Sequence, residues 1–294
     1  MNDALNATAS LAAARGLYYA AAMLLFGDLA FSLLIHAKLP IIVPPRDMRL
    51  RWSALAVAAA AGLTWFLMAV AGMAGTLDRQ AVIQAITATL FGQLFLVRIV
   101  ALAALALVFK RGARLAVLLA LAALILPAAT SHAAAASPAG FTALGTSLDG
   151  LHLLTAGFWV GGLAVLLQLH RRGEPNILLA LSLFSDWAMI AVLLLVMTGL
   201  INATSILLGG KGTPSQLYLT VLGAKLVLVA GMLGLAAMNR FRLMPRGNDQ
   251  AIARNVALEL GADAVRNSCM RACGEIPGPL SVIRSSVSAF TLSK

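Results

Sequence analysis

The stretch Thr146–Arg172, "TSLDGLHLLTAGFWVGGLAVLLQLHRR", decides how the chain is read. It is long and apolar enough to cross a bilayer, which takes about 20 residues. Yet it carries Asp149 and His152 near its start and closes on two arginines. Ionisable side chains are costly inside a membrane and face a bundle interior or a polar path. Residues at i and i+3 share one helix face, so acid and imidazole lie about one turn apart, with Thr155 and Ala156 continuing that face.

The rest of the chain supports a membrane reading. Of 294 residues, 61% are hydrophobic and 11% charged, more apolar surface than a soluble core can use. The expected fold class is all-α: a polytopic transmembrane helical bundle of about 7–8 spans, with lipid bilayer as its surroundings. The predicted spans are 17–37, 52–75, 92–109, 115–130, 148–169, 187–208 and 217–240. Residues 78–89 read as an amphipathic surface helix.

The net charge of +11 does not imply nucleic acid, because the basic residues sit in short loops between apolar runs. Lys38, Arg46, Arg49 and Arg51 follow span 1. Lys110, Arg111 and Arg114 follow span 3, Arg171 and Arg172 follow span 5, and Arg240, Arg242, Arg246 and Arg254 follow span 7. The alternate loops are nearly neutral. This places the N-terminus in the periplasm and the basic loops in the cytoplasm. Residues 1–16 read as a periplasmic N-terminal segment rather than a cleaved signal peptide. Residues 17–260 form the transmembrane domain and 261–294 a polar tail.

The ionisable residues within the spans are Asp28, Arg98, Asp149, His152, Asp186 and Lys225. Asp186 is expected at the start of span 6, where the helix N-terminus favours an anion. Asp28, Arg98 and Lys225 each call for a partner inside the bundle or a route to the headgroups. His132 ends span 4 at the level of Asp149 and His152. Met73, Met197, Met23 and Asn202 belong to the same outer level. Imidazole with thioether suits copper, and a carboxylate either orients the histidine or binds the metal itself. The expected metal set is therefore His152, Asp149, His132, Met73 and Met197. Asp28, Asn202, Lys225 and His36 lie along the expected path, with Met238 another exit contact. His36 and His170, beside basic loops, also fit interfacial solvation.

"SHAAA", "LDGLHLLTAGFWVGGL", "LFSDWAMIAVLLLVMTGLINA" and "YLTVLGAKLVLVAGMLGLAAMNRFRLMP", in this order, resemble the CopD family of bacterial inner-membrane copper proteins, as does "ATLFGQLFLVRIVAL". The resemblance spans roughly residues 17–260. It implies about eight helices, copper resistance or uptake from periplasm to cytoplasm, and a small periplasmic copper-binding protein as partner. It carries His132, Asp149, His152, Trp159, Asn202, Lys225 and Asn239 over as family positions. It implies no enzyme. Copper is then the transported substrate. No G-x-x-x-x-G-K-[ST] loop is present, which leaves passive or ion-coupled movement. Two other readings stand beside it: a redox protein holding b-type haem on paired histidines (His132 with His152, His36 with His170), and a subunit delivering copper to a membrane oxidase.

The tail departs from the family. After "NVALEL" an apolar helix is expected, but Asp263, Arg266 and Arg271 interrupt it at ~2.5–3.5 kcal/mol each near a helix centre. A frameshift near Gly261 would produce such an end, leaving Cys269 and Cys273 without meaning.

Overall fold

In the computed structural model the described residues are 2–35, 48–109, 112–130, 142–174 and 177–209, with the single positions 223, 227, 230, 231, 234 and 238, all helical. The helices are α1 (Asn2–Leu34), α2 (Met48–Ala74), α3 (Arg79–Ala88), α4 (Leu90–Val108), α5 (Ala113–Ile125), α6 (Thr142–Arg171) and α7 (Ile177–Gly209). No strand occurs among the described residues. Among the described residues six apolar segments are long enough to cross a membrane, the fourth being α5 with the 3₁₀ turn Leu126–Thr130 that continues it. Pro127 explains the change of helix type, because it has no N–H for an α-helical bond. The predicted seventh span, 217–240, lies outside the described residues except for those single positions, as does the tail.

Helix α3 is the short amphipathic helix expected between spans. Asp78 caps it, its side chain accepting from the Ala81 N–H at 2.7 Å. Its Ala85 packs with Phe66, Val70 and Phe95, while Arg79, Gln80 and Ile83 stay exposed. Thr89 ends it and caps α4 through the Gly92 N–H at 3.0 Å.

Helix directions alternate, as successive membrane crossings require. Asp28 meets Arg51, and Tyr18 meets Trp65, so α1 and α2 are antiparallel. Phe66 stacks on Phe95 at 4.0 Å and Trp52 meets Phe109, which makes α2 and α4 antiparallel. Gly162 of α6 meets Phe184 of α7 and Asp149 meets Asn202, again antiparallel. Helices α1 and α6 run parallel: Gly157 meets Met23, and one turn further along Gly161 meets Gly27.

That parallel crossing organises the bundle. Lipid is as apolar as leucine, so membrane helices associate through close packing, and small residues permit it. A Cβ on Gly161 would stand 2.5 Å from the Gly27 Cα and 2.8 Å from the Met23 carbonyl oxygen. Gly157 and Gly161 thus form a small-xxx-small pair that receives α1 at Gly27. Beside this seam, Phe31, Leu29, Leu166 and Phe184 are buried and fill the core.

Several expectations are corrected here. Helix α1 begins on the N-terminal side of the predicted span 17–37, because "ALNATASLAAARG" is rich in helix-forming alanine and leucine; this does not bear on the expected periplasmic segment 1–16. Arg51 is not a loop residue: it lies in α2, 3% exposed, bonded through Nε to Asp28 and through Nη2 to Ser32 Oγ at 3.2 Å. Asp186 is not at a helix start. It lies in the third turn of α7, on an exposed face, beyond the first turn in which a helix N-terminus acts on a charge.

Candidate functional site

Asp149 and His152 sit on the face of α6 that meets α7. Asn202 Nδ2 donates to Asp149 Oδ1 at 2.7 Å, and His152 Nδ1 lies 3.0 Å from Thr198 Oγ1. An i, i+3 pair on one helix therefore faces an i, i+4 pair on its antiparallel neighbour. Gly199 makes room for the ring, since a Cβ there would lie 3.2 Å from His152 Cε1. Asp149, His152 and Asn202 are half-buried, and Thr198 is 2% exposed.

The hydrogen bonds of Thr198 orient the imidazole. Its hydroxyl has one proton, given to the Leu194 carbonyl at 2.7 Å with Leu195 sharing at 3.2 Å. With that proton on the Leu194 carbonyl, the oxygen accepts from His152 Nδ1, an assignment in which the neutral ring keeps its lone pair on Nε2. Metal-binding histidines are held in this way, one ring nitrogen donating to a neighbour while the other ligates. Below the ring, Thr155 is buried and donates to the carbonyls of Leu151 at 2.9 Å and His152 at 3.0 Å.

Asp149 has a second neighbour across the α1–α6 seam. Tyr19 interacts electrostatically with it and with Arg15 and Arg98. The pair on α6 therefore lies where α1, α6 and α7 converge, at the end of the bundle that holds the first turns of α6.

The remaining expected site residues are dispersed. Asp28 pairs with Arg51 toward the opposite end, about 13 Å along α1 from Tyr19 at 1.5 Å per residue. Met73 is 61% exposed at the end of α2, and Met197 is 49% exposed on α7. The methionine placed at the seam is Met23, whose Cγ would lie 3.5 Å from a Cβ on Gly157. His132, Lys225, His36 and Asn239 lie outside the described residues, while Met238 is helical and 36% exposed. Trp159 is buried and His170 is exposed near the end of α6. Among the described residues no three of His, Cys, Asp and Glu come together as a metal cluster.

Two features escaped the sequence reading. Thr198 carries no charge, but its place one turn before Asn202 matches the spacing of Asp149 and His152. The glycine seam is written in "GFWVG", Gly157 to Gly161, a recognised small-xxx-small signal.

Spanning helices, a glycine seam and an acid–imidazole pair clamped between two helices define a multi-pass membrane protein with a polar site inside its bundle. Residues 1–141 match the N-terminal domain of copper resistance protein D-like proteins, and residues 178–265 match copper resistance protein D. The chain belongs to the CopD family of copper resistance proteins, and its function concerns copper. No curated protein and no solved structure gives a significant match. Asp149 and His152 lie between the two matched segments, whereas Thr198 and Asn202 lie within the second.

Proposed function

We propose that this protein carries copper across the bacterial inner membrane, from periplasm to cytoplasm, and so contributes to copper homeostasis. The observation that supports this is the orientation of His152. Its Nδ1 hydrogen is committed to Thr198, while Asp149 beside it is held by Asn202. Interhelical bonds between neutral side chains would fasten α6 to α7 equally well, at about 0.6 kcal/mol each. A carboxylate and a basic imidazole nitrogen add charge and ligating power that fastening does not need.

In this reading copper meets His152 Nε2 and the Asp149 carboxylate at the periplasmic end, where the basic-loop pattern puts the start of α6. His132 completes the donor set, with Met73 and Met197 as approach contacts for the soft cuprous ion. A small periplasmic copper-binding protein fits as the donor. The ion then moves past Asn202 toward Asp28, with Lys225 and His36 further along the path.

The haem reading pairs His132 with His152 and His36 with His170, and His132 and His36 lie outside the described residues. Copper delivery to an oxidase uses Asp149 and His152 as transport does but needs no flux. Copper uptake into proteoliposomes tests the proposal. Accumulation by the intact chain, lost in His152→Ala and Asp149→Ala, supports transport. Binding without accumulation indicates delivery, and a Soret band without copper binding indicates haem.

A further inference from the structure

The geometry points to a binding site for a small monovalent anion at Arg98. This side chain belongs to α4 and is 3% exposed, yet its Nε and Nη1 have no hydrogen-bond partner among the described residues. A buried guanidinium normally finds a carboxylate, a carbonyl or water, because unmade bonds to a charged group are costly. Here the surroundings are aromatic. The guanidinium carbon lies 4.8 Å from the Trp65 ring centre, 5.4 Å from Tyr18 and 5.7 Å from Phe95. Ring faces offset the charge but leave those two donors unsatisfied.

A second cation shares the same indole. Arg15 lies 5.2 Å from the Trp65 ring centre, and neither arginine forms an ion pair with a carboxylate among the described residues. The Tyr18 hydroxyl donates to the Ala123 carbonyl at 2.5 Å, and its oxygen, though beside Arg98, does not accept from Nε or Nη1; Asp149 is held by Asn202. Two guanidinium groups thus bracket one ring with their charge unmatched, and one of them has orphaned donors.

The surroundings define the ligand class. The orphaned nitrogens are two and carry three N–H groups, too few to satisfy the oxygens of a buried, multiply charged phosphate. The nearby rings present positive edges as well as negative faces. A halide-sized ion is satisfied by a few N–H groups and ring edges. Arg98 is about 12 Å along α4 from Leu90 at 1.5 Å per residue, which favours a free ion over a lipid headgroup. The site is independent of the copper assignment and stands or falls separately from it.

Trp65 is a built-in reporter. The full chain in uncharged detergent is moved from sodium gluconate to sodium chloride at constant ionic strength while tryptophan fluorescence and Tm are followed. The expected result is a saturable fluorescence change with a rise in Tm, both lost in Arg98→Gln. Trp65→Phe loses most of the fluorescence change and keeps the rise in Tm. That pair of results supports the site even if Arg98→Gln does not fold. A linear, unsaturated response of the wild type overturns the proposal. So does a saturable response that persists in Arg98→Gln or is undiminished in Trp65→Phe.

Discussion

Replacing Gly161 by alanine tests whether the α1–α6 seam sets the geometry of the bundle. The added methyl would stand 2.5 Å from Gly27 Cα, whereas ordinary contact begins at 3.4 Å. The obstruction is backbone, so no side chain can swing aside. The helices must separate by about 1 Å, and a gap of that size removes roughly a quarter to a half of the dispersion attraction of each affected contact. Overpacking of this kind costs about 1–3 kcal/mol. Gly16→Ala is the control, because nothing lies within 4 Å of a Cβ there. It should gain up to about 1 kcal/mol, since alanine favours helix over glycine. Unfolding by sodium dodecyl sulfate in mixed micelles measures both. Gly161→Ala should unfold at lower denaturant and lose copper uptake as Tyr19 draws away from Asp149. If it is as stable as the wild type, the close crossing described here is wrong.

Thr198→Val keeps the side-chain volume and removes the acceptor of the His152 Nδ1 hydrogen. Copper affinity, measured by competition with a cuprous chelator, should fall about 10–100-fold, while stability changes by about 1 kcal/mol or less. Arg51→Ala strands the Asp28 carboxylate and should cost about 3 kcal/mol in the same unfolding assay, the low end for a buried pair because Asp28 is 21% exposed. The double variant Asp28→Ala, Arg51→Ala should cost less than the sum of the single changes, and strict additivity would show that the two do not interact. Gly199→Ala presses a methyl to 3.2 Å from His152 Cε1, so copper uptake should drop with little change in unfolding.

The sequence made the helices legible but not their contacts. Apolar length alone located α2, α4 and α5 to within a few residues, because hydrocarbon thickness imposes that length. It underestimated α1 and α7, whose helices continue beyond their most apolar windows. Asp149 and His152 were legible as costly charges sharing a face, and Asn202 as a polar residue at their level. Their pairing was not, since facing requires the rotation of α7 about its axis, which is set by packing at Gly162 and Phe184. Arg51 misled for a related reason. A basic residue at a helix start reads as loop until the acid nearly two turns inside the neighbouring helix is known to face it. Met73 and Met197 shared a level with His152, but equal depth does not place a side chain on the inward face.

X-ray absorption at the copper edge of the copper-loaded full chain tests the central claim most directly. The expected result is imidazole scattering that weakens in His152→Ala and is unchanged in His170→Ala. A spectrum unchanged by His152→Ala would contradict it.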